Sequence, residues 1–234
     1  MTQVHWLEQS AAEVPEHNAW LSQAEVSHLN RMRFPKRQAD WRLGRWTAKR
    51  ALAAYLKLPA CGDELAAIEI RATESGAPDA FVSGNPSGVA ISLSHRAAMA
   101  SCAVVPLGME IGCDLEVIEV HTDGFIADYL AGEERELLAR IPLRHQVRTV
   151  ALLWSGKESA LKALRVGLRL DTRCVVVCPL DVVDDLGTGW RPLVVRLGAG
   201  RVYHGWWYDT GGLVRTVIAA PASPPPVALK ARRS

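Results

Sequence analysis

The chain of 234 residues is 49% hydrophobic and 22% charged, an ordinary globular composition that suffices for one large domain or two small ones. A formal net charge of +2 excludes a bulk electrostatic argument for nucleic acid or a membrane surface. Five cysteines without a Cys-x-x-Cys pair indicate neither a disulfide framework nor a zinc knuckle, and Cys174 and Cys178 in CVVVC read as thiols of a buried strand.

The N-terminal stretch MTQVHWLEQSAAEVPEH lacks a basic start and an apolar core, so no signal peptide is expected. No apolar run is long enough to span a bilayer, and a reducing cytoplasm is the expected setting. In chain order, hydrophobic periodicity predicts helices over 22–33 and 40–57, then strands over 66–72, 89–95, 99–105 and 109–118. Helices follow over 123–140 and 146–166, then strands over 173–178, 190–197, 201–208 and 213–220. The segment from Pro221, PASPPPVALKARRS, is proline-rich and then basic and reads as a disordered tail. Helices followed by strands, twice over, predict an α+β class rather than alternating βα units.

WTAKRALAAYL from Trp46 resembles WSGKESALKAL from Trp154 at an offset of 108 residues. Lys49 then matches Lys157, and the same register carries upstream to match Glu25 with Glu133 and Gln38 with Gln146. Two amphipathic helices can resemble each other by chance, but a shared register over helix, loop and helix favours duplication. The expected organisation is an N-terminal half over 1–107, a C-terminal half over 108–220 and the tail over 221–234. A pseudo-dimer of this kind is expected to hold a cleft between its halves, a favoured place for a ligand.

Strand alternation in MEIGCDLEVI places Gly112, Asp114, Glu116 and Ile118 on one face, with alternate side chains about 6.5–7 Å apart. Gly112 is expected to leave room there for a ligand. The same pattern also describes an edge strand with a solvated acidic face. On the helix over 146–166, Trp154, Glu158, Leu161 and Arg165 fall on one line, so Glu158 sits in a largely apolar stripe, where a carboxylate is costly unless paired or bound to a cation. Lys162, four residues on, is a possible salt-bridge partner in the favourable Glu-to-Lys order. Lys157 adds a third charge near the buried side of this helix. Three carboxylates with hard oxygen donors suit Mg²⁺ or Mn²⁺, which keeps waters and takes substrate phosphates.

Between Arg31 and Arg50 stand eight basic residues against one acid, Asp40. Arg42, Arg45 and Lys49 share a helix face, a cluster that fits phosphate recognition, a solvated helix face or a nucleic-acid patch. ISLSHR ends a strand with Ser94 and His95, which lie on opposite faces and outside any G-x-S-x-G elbow. They fit a phosphate-binding strand end or a structural histidine.

Together these motifs resemble the Sfp-type 4'-phosphopantetheinyl transferases: IGCDLE, WSGKESALK, ISLSH after SGAPDAFVSGNPSG, and GRWTAK, in the family's order across residues 20–165. Cys113 departs from the aliphatic residue usual at that place. The resemblance implies the family's fold, two α+β halves with one active site between them, and transfer of the phosphopantetheine arm of coenzyme A to a serine of an apo acyl or peptidyl carrier protein, with release of 3',5'-ADP. It implies that Asp114, Glu116 and Glu158 hold Mg²⁺ (or Mn²⁺) on the pyrophosphate. Lys162 and Lys157 would neutralise phosphate charge, and Arg45, Lys49, Ser94 and His95 would hold the nucleotide end. Glu133, or a metal-bound hydroxide, would take the serine proton. The partner is expected to be an acidic helical carrier, the segment 121–131 a candidate contact for it, and the enzyme a monomer; neither nucleic acid nor a membrane is expected as a partner.

Overall fold

The computed structural model describes residues 2–180, 182, 189–198 and 200–230. The elements are β1 (His5–Ser10), α1 (Gln23–Leu29), α2 (Pro35–Leu56), β2 (Ile68–Ala72), β3 (Pro78–Val82), β4 (Asn85–Pro86), β5 (Val89–Arg96), β6 (Met99–Pro106) and β7 (Glu110–Val117). They continue with α3 (Asp123–Tyr129), α4 (Gly132–Arg140), α5 (Leu143–Ala163), β8 (Val175–Pro179), β9 (Arg191–Leu197), β10 (Val202–Thr210), β11 (Leu213–Ala220) and β12 (Val227–Ala228). The chain divides into two compact units, Val4–Met109 joined by the segment from Val227, and Glu110–Pro226. Both are α+β. Among the described residues no helix is long and apolar enough to cross a membrane.

In the first unit the strand order is β12-β1-β6-β5, and α2 packs on β1 and β6. A smaller sheet, β2-β3-β4, lies beside them. Pro35 opens α2, where its missing N–H costs nothing, and Lys57 closes it in the left-handed conformation at φ 58°. Trp20, Trp46, Leu52, Val104 and Ile91 lie in the core. β1 escapes periodicity because its apolar pair Trp6–Leu7 is consecutive, and β3 because it opens on proline. The expected disorder after Pro221 is corrected over the described part of the tail. Val227 and Ala228 pair in parallel with His5 and Trp6, and Leu229 N–H donates to Trp6 O at 2.7 Å. Residues 231–234 lie outside the described residues.

In the second unit α5 lies across an antiparallel sheet of order β7-β11-β10-β9-β8. The single helix expected over 123–140 is two. Leu130 and Ala131 are extended and buried, and Glu134 turns back to accept the Ala131 N–H at 2.8 Å, which starts α4 afresh. Cys174 is exposed and Cys178 half-buried, because Val175 and Val177 take the core positions of β8.

One arrangement recurs in each unit. Glu25, at the start of α1, receives Lys49 of α2 at 2.5 Å, and its other oxygen accepts the Ile70 N–H at 3.3 Å. Glu134, at the start of α4, receives Lys157 of α5 at 2.7 Å and accepts the Val177 N–H at 2.8 Å. Lys49 also donates to Trp20 O and Leu65 O, and Lys157 to Thr172 O and Val175 O. Gln38 donates to Met32 O in the loop before α2 at 2.9 Å, and Gln146 donates to Leu138 O near the end of α4 at 3.0 Å. The counterpart of Glu25 is therefore Glu134, one residue later than the ungapped register that selects Glu133.

Burial pulls the Lys157 ammonium down and pushes the Glu134 carboxyl up, and their mutual attraction offsets part of each shift. Both pairs are nearly free of solvent, with side-chain exposures of 0% and 7% for Lys49 and Glu25 and 0% and 1% for Lys157 and Glu134. Removing one partner strands a buried charge. Lys49→Ala and Lys157→Ala should each lower unfolding free energy by about 3–5 kcal/mol in urea titrations, whereas a loss under ~1 kcal/mol would mean that the pairs behave as surface bridges.

Candidate active site

Strand β7 lies against the backbone of α5. A Cβ on Gly112 would meet Ser159 O at 1.8 Å and Ala163 N at 2.8 Å, so the glycine admits the helix rather than a ligand. The face that carries Gly112 is therefore the face turned to α5, and the alternation predicted for MEIGCDLEVI puts Asp114 and Glu116 on it as well. Asp114 is buried and Glu116 half-buried near the end of the strand. Register fixes their neighbours: Asp114 is opposite Thr216 and Glu116 opposite Val214 on β11.

From the helix, Lys162 donates to Asp114 Oδ1 at 2.7 Å and to Cys113 O at 3.2 Å. Glu158 stands one turn before Lys162 on the same side of α5. Burial pushes the Glu158 carboxyl above the usual carboxylate range; the Lys162 ammonium works against that rise and the Asp114 carboxylate adds to it. Burial pulls the Lys162 ammonium down, but Asp114, Cys113 and Glu158 outweigh it and hold the ammonium above its ordinary value. Two carboxylates thus repel each other at a buried strand–helix junction and share one ammonium. Trp154, a turn before Glu158, packs edge-on against Phe125 and Tyr129 of α3 at ring-centroid distances of 5.3 and 5.1 Å.

Lys162 meets Asp114 directly, Glu158 is coupled electrostatically to both, and Glu116 lies two residues along the same strand face. Lys157 does not join them. It points to the opposite side of α5 into the pair with Glu134, so its ammonium is spent on the fold. Glu133 is exposed at the start of α4 and bound to Arg196 of β9, a surface ion pair in place of an enclosed base. Among the described residues, no three His, Cys, Asp or Glu side chains form a ready cage for an ion.

The first unit sorts its basic residues differently from the expected helix face. Lys49 is consumed by Glu25 and two carbonyls, Arg42 donates to Pro15 O and Glu16 O, and Arg45 lies over the Trp41 ring at 4.8 Å, within 3.8 Å of Glu25. The earlier part of α2 faces outward instead. Lys36, Arg37, Asp40 and Trp41 line a cavity of about 620 Å³ together with His28, Phe34 and His95. His95 thus reaches a basic, aromatic cavity, while Ser94 is buried in β5. Lys36 and Arg37 are the cavity cations that the i, i+3, i+7 reading passes over, because the helix begins at Pro35 and not at residue 40.

Residues 110–186 match the sequence model of the 4'-phosphopantetheinyl transferase superfamily. The 4'-phosphopantetheinyl transferase HetI of Nostoc sp. is 29% identical over 167 residues, 69% of this chain and 67% of that protein. Among solved structures, the holo-[acyl-carrier-protein] synthase of Thermotoga maritima has 16% identity and a TM-score of 0.36, covering 47% of this chain and 61% of its own. That of Helicobacter pylori, in complex with coenzyme A, has 20% identity and a TM-score of 0.31, covering 44% of this chain and 99% of its own. The acidic strand and the helix that crosses it fall inside the segment that matches the 4'-phosphopantetheinyl transferase superfamily.

Proposed function

We propose that the protein transfers the 4'-phosphopantetheine arm of coenzyme A to a serine of an apo acyl or peptidyl carrier protein and releases 3',5'-ADP. The observation that carries this reading is the ion pair of Lys162 with buried Asp114, with half-buried Glu158 one turn before Lys162 and coupled to both charges. The superfamily match over the same residues and the likeness to the Nostoc transferase support it. The serine hydroxyl attacks the pantetheine-side phosphorus of the pyrophosphate. A new O–P bond forms, the bridging O–P bond breaks, and the electron pair leaves on the phosphate of 3',5'-ADP.

Such a reaction asks the protein to position groups and to neutralise charge. Lys162 supplies a fixed cation beside the phosphates. Asp114 and Glu158, with Glu116 next along the strand, are hard oxygen donors whose mutual repulsion a divalent cation would relieve, so the donor set fits Mg²⁺ carried with the pyrophosphate better than a closed protein cage. When bound, Mg²⁺ supplies Lewis-acid charge stabilisation at the pyrophosphate. Glu158 suits the serine proton better than Glu133, because it stands half-buried one turn before Lys162 while Glu133 is exposed and held by Arg196. The cavity lined by Lys36, Arg37, Trp41 and His95 suits the nucleotide end, with cations for phosphate and a ring for stacking.

The test is the mass of apo carrier proteins after incubation with the protein, coenzyme A and Mg²⁺. One phosphopantetheine should be gained by at least one carrier of a panel, and Asp114→Ala and Glu158→Ala should slow the gain by about a hundredfold or more while far-UV circular dichroism stays native. No gain across the panel contradicts the reading. Exchanging both cavity cations, Lys36→Ala with Arg37→Ala, should raise KM for coenzyme A about tenfold and leave kcat nearly unchanged. An unchanged KM would place the nucleotide elsewhere.

A further inference from the structure

Thr216 carries no motif, yet it stands at the centre of the second unit. It lies on β11 directly opposite Asp114, and side chains opposite each other on neighbouring strands share a face. Its hydroxyl is fully buried and reaches α5 three times. It donates to Ser155 O at 2.9 Å and lies 2.9 Å from Ser155 Oγ and 2.6 Å from Ser159 Oγ. With its one proton given to the Ser155 carbonyl, Thr216 Oγ1 has two lone pairs for the two serine hydroxyls, which matches its full capacity. Ser159 Oγ also lies 3.3 Å from Thr216 O.

The two serines are one helical turn apart on the buried side of α5. Glu158 and Lys162 are one turn apart on the adjacent line, and Glu158 is the chain neighbour of Ser159. A helix held only by Leu152, Leu153, Ala160 and Leu161 can slide by a fraction of an ångström among apolar neighbours, because such contacts are non-directional. Hydrogen bonds have a defined length and angle and remove that freedom. The close approach of Ser159 O to Gly112 sets the height of α5 over β7, Lys157 ties the helix to β8, and the hydroxyl trio fixes it on β11 beside Asp114.

From this geometry we infer that Thr216 is a positioning residue of the transfer reaction: through Ser155 and Ser159 it fixes α5 so that Lys162 and Glu158 stand over Asp114. The inference rests on the transferase reading above for its kinetic consequence, but its structural consequence is independent of it. Misplacement of reacting groups by about 1 Å costs on the order of a hundredfold in rate, so a loosened α5 should be felt in kcat.

Three variants test it: Thr216→Val, which keeps shape and loses the hydroxyl, Thr216→Ser, which keeps the hydroxyl and loses the methyl, and Ser159→Ala, which removes one bond from the helix side with a good helix former. The first readout is the ¹⁵N–¹H signal of the Lys162 ammonium, which slow exchange at the Asp114 hydrogen bond makes observable. The second is kcat and KM for coenzyme A in the carrier mass assay. Thr216→Val should weaken or shift the Lys162 signal and lower kcat about tenfold or more, with KM for coenzyme A within about twofold. Thr216→Ser should restore both readouts, and Ser159→Ala should lower kcat severalfold. If Thr216→Val does not fold, the serine and alanine variants decide alone. An unchanged Lys162 signal in Thr216→Val, a Thr216→Ser variant as impaired as the valine, or wild-type kcat in Ser159→Ala would overturn the inference. A wild-type protein that transfers nothing while the Lys162 signal responds as described would sink the transferase reading and leave the positioning role standing.

Discussion

Everything distinctive about the second unit depends on the near contact between the backbone of α5 and the strand β7 at Gly112. Any side chain there would overlap Ser159 O, so the helix comes this close only because the strand offers a bare Cα. The close approach buries Asp114 under α5 and brings Lys162 within 2.7 Å of it. It also strips water from Glu158, whose carboxyl then holds its proton more tightly, with Asp114 adding to the effect. A looser packing would leave the same acids in water, where their repulsion is screened and they are ordinary surface groups. Packing thus converts a surface-like sequence of acids into carboxylates that repel each other beside one ammonium.

The arrangement that recurs in the two units separates what holds each unit from what works in it. Each unit fastens its long helix with a buried lysine that gives its protons to one carboxylate and two backbone oxygens. Such a pair is costly to assemble and more costly to break, and its several partners make it a register device for helix and strand alike. What differs between the units is the content of the faces left over. In the second unit that content is acids and Lys162; in the first it is an outward-facing start of α2 with Lys36, Arg37 and Trp41 beside His95.

The acidic site was legible in the sequence because both of its periodicities are strict. Alternation along β7 groups Asp114 with Glu116, and helical spacing along α5 groups Glu158 with Lys162. The roles of two other lysines were not legible. Lys49 and Lys157 look like phosphate ligands because they are charged and sit near apolar stripes, but the carbonyls that bind them come from Trp20, Leu65, Thr172 and Val175, far away in the chain. Glu133 and Glu134 are indistinguishable to an ungapped alignment, and only the turn of α4 decides which is buried. Thr216 lies outside every motif and acquires its place through the strand register with Asp114 alone. The tail was misread because composition signals disorder, while a two-residue pairing with the exposed edge of β1 needs no pattern of its own.

Under the proposed function, Asp114 and Glu158 would together hold a divalent cation brought by the pyrophosphate. Mn²⁺ binding followed by electron paramagnetic resonance, with and without coenzyme A, tests it most directly. Tight Mn²⁺ uptake by the wild-type protein is expected in the presence of coenzyme A, weak uptake without it, and loss of the tight phase in Asp114→Asn. An Asp114→Asn variant that takes up Mn²⁺ with coenzyme A as the wild type does would contradict it.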